Sequence, residues 1–218
     1  MIGLTKLTDQ EVFDLDDKYG AHHYTRLKTA IRKTEGAWLY TQDGTKILDC
    51  LAAYSAANPG HHHPKIVKAM IDGLQEGMGS VISNVIYTDV KSRFLEKCCN
   101  LMPQLGPRFG QTGNVAMAKN GGVESVETAI KLMRYYGYKN KNIPDGKQEI
   151  IVFSNNFHGR MVTVISFSSS KKYKEGFGPL TPGFVEVPFG DLAAVEKAVT
   201  PNTCGILVEP MQIGRASC

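Results

Sequence analysis

Asn120-Gly-Gly-Val-Glu-Ser-Val-Glu127 stands where one sequence period gives way to another. Before it, the short apolar run Val115-Ala-Met-Ala118 predicts a strand. After it, Val123, Val126, Ile130 and Met133 recur at helical spacing and predict a helix. The glycine pair is therefore expected at a strand-to-helix turn. Two glycines permit close backbone approach, and the N–H groups that open a helix favour an anion. The stretch is neither G-x-G-x-x-G nor a P-loop, because no G-K-[ST] follows. A plain turn uses the same residues, so local sequence leaves both readings open.

Strands and helices keep alternating on the C-terminal side. Ile150-Ile-Val-Phe153 and Gly205-Ile-Leu-Val208 read as buried strands, and Leu192, Val195 and Val199 mark a helix between them. Apolar strands joined by helices predict an α/β fold with a mostly parallel sheet covered on both faces. On the N-terminal side, Val67, Met70, Ile71 and Leu74 predict a helix with Pro64 in its first turn. Val90, Phe94, Cys98 and Leu101 predict a second, closed by Pro103, and residues 105–113 read as a loop. The first 60 residues read as a small irregular unit. Its strands, Gly36–Thr41 and Ile47–Cys50, flank a hairpin turn at Asp43-Gly44. The expected division is residues 1–60, 61–212 and a foreign tail, 213–218. The last strand ends close to the last residue, which predicts a sheet left unfinished.

Composition narrows the class. Of 218 residues, 42% are hydrophobic and 21% charged, which excludes a disordered or low-complexity chain. No apolar stretch is long enough to span a bilayer, so no membrane partner is expected. Lys and Arg exceed Asp and Glu by only four, without a basic block, so no nucleic-acid partner is expected either. Cys50, Cys98, Cys99, Cys204 and Cys218 form neither a disulfide framework nor a C-x-x-C zinc motif. Met1–Asp17 carries five acidic residues and no apolar core, unlike a secretory or transit segment. A cytoplasmic location follows as the expectation.

Three further segments could carry chemistry. Asn156-Phe-His-Gly-Arg160 follows a strand, where open α/β sheets bind ligands. Phe157 offers a flat face and Arg160 a fork for a carboxylate. A buried Phe and a surface Arg would look the same. Glu209-Pro210 ends another strand, a common place for a surface Glu. Gly60-His-His-His-Pro64 invites a metal, but adjacent histidines point apart and no carboxylate or Cys is near in sequence, so none is expected.

Taken in order, Ala53-Tyr-Ser-Ala-Ala-Asn-Pro-Gly-His61, Asn120–Leu132, Phe157-His-Gly-Arg160, Gly176-Phe-Gly-Pro179 and Val208-Glu-Pro210 resemble the class III pyridoxal-phosphate-dependent aminotransferases. Lys18-Tyr-Gly-Ala-His22 and the Ala-Tyr-Ser-Ala segment are similar to the branch of that family acting on ornithine. The resemblance runs from about Tyr19 to Gln212. It implies fold type I: part of a small domain, then the first part of the large cofactor domain. It implies pyridoxal 5'-phosphate, a homodimer, and transfer of the δ-amino group of ornithine to 2-oxoglutarate, giving glutamate and glutamate semialdehyde. Residue by residue, Gly121, Gly122 and Val123 would hold the cofactor phosphate. Phe157 would stack on its ring with His158 beside it, and Glu209 would lie near the ring. Arg160 would bind a substrate carboxylate; Tyr54 and Tyr87 would line the substrate pocket, Tyr54 being tied to ornithine preference.

Two positions depart from the family pattern. Met161 replaces a small hydroxyl residue, and Gly121 stands where Ser or Thr is common. The pyridinium Asp and Schiff-base Lys of the family are expected beyond this chain, so no catalytic residue is assigned within it. The 218 residues alone are therefore expected to be inactive. Ile213-Gly-Arg-Ala-Ser-Cys218 fits nothing in the family. One back-translation of residues 212–218 reads as a sequencing adapter, so residues after Gln212 are expected to be read-through; a frameshift is the alternative. An acetylornithine or other ω-amino acid enzyme, and a non-catalytic remnant, remain open as alternatives.

Overall fold

The computed structural model describes residues 6–78, 82–83, 85–101, 114–210 and 212. The loop expected at 105–113 and the tail 213–218 lie outside them. Contacts divide the chain into two compact units, residues 1–91 and 92–218.

The first unit opens with α1 (Asp9–Tyr19). Thr8 caps it, and the Glu11 carboxylate returns to the Thr8 N–H at 2.7 Å. This T-x-x-E capping box is a readable helix start. A three-stranded antiparallel meander follows: β1 (Ile31–Glu35), β2 (Trp38–Thr41) and β3 (Lys46–Leu48). β2 and β3 pair Trp38 with Leu48 and Tyr40 with Lys46 around the expected Asp43-Gly44 turn. β1 is a correction to the sequence reading. Its Ile-Arg-Lys-Thr-Glu run has no apolar signature, and it becomes a strand because β2 supplies its ladder. Next come α2 (Pro64–Gln75) and, across the boundary between units, α3 (Asp89–Asn100). Both helices form as their periods predict, although Met70, Leu74 and Phe94 stay more than half exposed.

The second unit holds the core. α4 (Gly122–Asn140) leads to β4 (Glu149–Phe153); α5 (Val162–Ser166) and α6 (Lys171–Lys174) precede β5 (Phe184–Val187); α7 (Leu192–Ala198) precedes β6 (Thr203–Leu207). The strands lie in the order β5-β4-β6, with β4 parallel to both neighbours. The expected parallel sheet is thus present. Strand side chains alternate between faces, and β4 shows it. Ile150 and Val152 join Ile130, Ile143, Val164 and Phe167, while Ile151 and Phe153 join Val187 with Val195 of α7. Ile150, Ile151 and Val152 have no solvent exposure at all.

α4 lies so close to the sheet that Gly137 has no room for a side chain: a Cβ there would sit 2.6 Å from that of Cys204 on β6. That contact explains a glycine inside a 19-residue helix, where it otherwise costs about 1 kcal/mol.

One expectation fails in this unit. Val115–Ala118 forms no ladder; Val115 is 86% and Met117 70% exposed. An apolar run becomes a strand only beside a neighbour that takes its N–H and C=O groups, and no described strand lies against it.

Candidate functional site

The glycine stretch does become a helix start. Gly121 is the N-cap of α4, and the Glu124 carboxylate accepts from the N–H groups of Asn120 at 3.0 Å and Gly121 at 3.1 Å. Gly121 thus gives its donor to Glu124. The next N–H groups, on Gly122 and Val123, have no acceptor inside the helix. A Cβ at Gly121 or Gly122 would meet none of the described residues within 4 Å, so among them this helix start leaves room for an anion.

The loop after β4 lies against that helix start. Asn156 is buried and anchors the loop: its amide donates to the Phe153 carbonyl at 2.6 Å and the Phe167 carbonyl at 3.1 Å. Gly159 then turns at φ +124°, and a Cβ there would stand 2.6 Å from Val123 Cγ2. The absence of that atom lets the Phe157–Arg160 loop touch the opening turn of α4.

The parallel pairing of β4 with β6 brings in the third segment. Both strands end on the same sheet edge, so Glu209 reaches the β4 loop. Its carboxylate accepts from the Phe157 N–H at 3.2 Å, across 52 positions of sequence. The Phe157 ring meets Tyr173 edge-on at 6.5 Å. The Arg160 guanidinium, exposed, lies 5.9 Å from the Phe157 ring centre and 5.5 Å from that of Tyr173. His158 packs on Phe167 at 5.5 Å, with its Nε2 shielded from solvent.

Gly121, Gly122, Val123, Phe157, His158, Arg160 and Glu209 all lie in this second unit. Tyr54 and Tyr87 belong to the first, at 67% and 94% exposure. Tyr54 sits in an unusual turn: Ala52, Ala53, Tyr54 and Ser55 have φ of 47°, 48°, 56° and 75°. Each non-glycine residue in that region costs roughly 1–2 kcal/mol.

Sequence reasoning placed Asn156 and Gly159 in the candidate loop without giving either a role, and it missed Tyr173. A Gly next to a presumed ligand loop was the one signal available; nothing in the sequence pointed to Tyr173. The histidines of 61–63 do diverge. Nε2 of His61 donates to Asp49 at 2.8 Å, Nδ1 of His62 to the Thr34 carbonyl at 2.9 Å, and His63 is the N-cap of α2. The carboxylate beside His61 therefore comes from 12 positions upstream. Among the described residues no group of three or more His, Cys, Asp or Glu could hold a metal, and no helix is long and apolar enough to cross a membrane.

Residues 19–215 match the aminotransferase class-III family. The chain belongs to that family. The match enters the segment expected to be foreign by three residues. The ornithine aminotransferase of Brevibacillus brevis (strain 47) is 43% identical over 202 residues, covering 92% of this chain and 48% of the relative. That of Bacillus cereus (strain Q1) is 40% identical over 203 residues, covering 93% and 48%. Among solved structures, the ornithine aminotransferase of Toxoplasma gondii ME49 superposes with a TM-score of 0.83 at 30% identity, covering 96% of this chain and 47% of that one. The acetylornithine aminotransferase of Elizabethkingia anophelis gives 0.73 at 35% identity, covering 93% and 47%. A Toxoplasma gondii ornithine aminotransferase crystallised with oxidised glutathione (TM-score 0.82, 30% identity, covering 94% and 46%) holds PLP at partial occupancy in its active site. The chain spans about half the length of the curated relatives it matches.

The site of this class III chain fits such a cofactor. The open helix start suits a phosphate, and Phe157, its backbone N–H held by Glu209, offers a flat ring on the loop that touches that helix.

Proposed function

We propose that the whole protein moves the δ-amino group of ornithine to 2-oxoglutarate, with pyridoxal 5'-phosphate as cofactor. One observation carries the reading: the open start of α4, the Phe157–Arg160 loop and Glu209 meet at one sheet edge, through Gly159 on Val123 and Glu209 on Phe157. When bound, the cofactor supplies the electron sink for the chemistry at the amino-bearing carbon. The chain supplies binding and orientation. The Gly122 and Val123 N–H groups hold the phosphate. Phe157 would lie against the cofactor ring with His158 and Glu209 nearby, and the Glu209 bond keeps the Phe157 backbone in place. Arg160 binds a substrate carboxylate as a planar fork. Tyr54 and Tyr87 line the amino-acid pocket. Residues 1–60 are assigned to the small domain and 61–212 to the large one, in a cytoplasmic homodimer.

A second reading, transfer from N-acetylornithine, is favoured by the likeness to the Elizabethkingia anophelis enzyme. The whole protein assayed with each donor and 2-oxoglutarate separates the two. Turnover of ornithine with release of glutamate semialdehyde is expected; turnover of N-acetylornithine alone selects the alternative. The 218-residue chain, treated with pyridoxal phosphate and borohydride, is expected to label no single lysine stoichiometrically. Clean labelling of one lysine would overturn the view that the reactive lysine lies elsewhere.

A further inference from the structure

Asp49 and His61 have no part in the site described above, yet both serve the turn that carries Tyr54. Oδ1 of Asp49 accepts from the N–H groups of Leu51 at 3.0 Å and Ala52 at 2.8 Å, the residues that lead into the left-handed run. Its other oxygen, Oδ2, accepts from His61 at 2.8 Å. The two side chains are 11% and 22% exposed, in a unit whose surface is otherwise largely open. His61 is fixed by its own backbone, which exchanges two hydrogen bonds with Gly36, at 2.8 and 3.0 Å, between β1 and β2. The Asp49 N–H donates to the Ala37 carbonyl at 2.9 Å. Residues 49–61 thus form a loop closed at its base by one side-chain pair and tied to the meander on both sides. The His61 bond, followed by the Ala52 N–H, holds the Asp49 carboxyl below the usual carboxylate range.

Consecutive left-handed non-glycine residues persist only where their surroundings over-determine them. Within the loop, Tyr54 donates to the Leu51 carbonyl at 3.0 Å and Ala57 to that of Ala52 at 3.0 Å, so the turn grows directly from the two residues that Asp49 holds. We propose that Asp49 and His61 are positioning residues: their closed pair keeps the Ala52–Ser55 turn left-handed and so sets where Tyr54 presents its ring to the amino-acid substrate. Neither touches the substrate. The proposal rests on the reading of Tyr54 as a pocket residue.

The test uses the whole protein loaded with cofactor, and reads kcat/KM for ornithine against N-acetylornithine. Tyr54→Ile sets the scale. Asp49→Ala and His61→Leu are each expected to lower the ornithine preference about ten-fold, chiefly through the KM for ornithine, with cofactor absorbance unchanged. His61→Gln, which keeps an N–H donor toward Asp49, is expected to restore the preference to within about two-fold. Amide exchange at Tyr54 should quicken in Asp49→Ala and recover in His61→Gln relative to His61→Leu. If Asp49→Ala does not fold, Asp49→Asn takes its place with the same expected direction. A Tyr54→Ile variant that loses the preference while the Asp49 and His61 variants keep it overturns the proposal alone. A Tyr54→Ile variant that keeps the preference overturns the pocket reading, and the proposal with it.

Discussion

Gly159→Ala is expected to weaken pyridoxal phosphate binding about 100-fold, a loss of about 2.7 kcal/mol of binding free energy. The same change should destabilise the fold by about 3 kcal/mol, from backbone strain and overpacking together. Both effects have one origin. At φ +124° an L side chain is strained, and the new Cβ would lie 2.6 Å from Val123 Cγ2 and 2.8 Å from Val123 Cβ. Val123 cannot yield easily. It is β-branched, stiff at χ1, and belongs to the first turn of α4. The loop must therefore lift from the helix start, carrying Phe157 and Arg160 with it. Gly190→Ala is the control. Gly190 also has a positive φ, +83°, but a Cβ there meets nothing within 4 Å. It should cost only about 1 kcal/mol and leave cofactor affinity unchanged. Absorbance titration with the cofactor and urea unfolding measure the two effects. Equal losses in both variants would mean that the Gly159–Val123 contact has no special part in the site.

Ile151→Ala is expected to cost about 3–4 kcal/mol, and Ile150→Ala about the same, the range for buried Ile truncations that leave a cavity. These neighbours face opposite sides of β4. Ile150 packs toward α4 and α5, and Ile151 toward α7, and neither has any exposure. Similar losses from both would show that each face of the strand is a closed core. Leu132→Ala, on the 67%-exposed side of α4, should stay within about 0.5 kcal/mol. The urea midpoint is the measure, with the slope held constant across variants. A small loss at Ile151 would show that the α7 face is open rather than packed.

Much of this molecule is legible before folding. The unbroken apolar run at 150–153 announces a strand buried on both sides, and β4 is that strand. The 3.6-residue spacing from Val123 onward announces α4, which runs seven residues beyond Met133. Asp43-Gly44 announces a hairpin. α1 was not expected within the first 60 residues, although Thr8-x-x-Glu11 is a capping-box pattern. The misses have different causes. β1 has a single apolar residue, Ile31, at its start, and β5 is a four-residue run, Phe184-Val-Glu-Val187, too short to stand out by its period. Val115–Ala118 shows an apolar signature and still forms no strand.

The same division holds at the site. Gly122, Val123, Phe157 and Glu209 could be named from ordered motifs, because each motif is a short stretch of sequence. The anchoring role of Asn156 and the part of Tyr173 could not be read there, since both lie in contacts made by the chain after it turns back on itself.

By itself, the sequence determined period, turn chemistry and family, because each is set by residues within a few positions of one another or by their order along the chain. Tertiary structure decided which segments pair, that Glu209 grips Phe157, that Gly159 lies on Val123, and that Asp49 reaches His61. Those contacts join groups that no local preference brings together. They exist because the parallel register of β4 with β6 and the closure of the 49–61 loop supply partners from far along the chain.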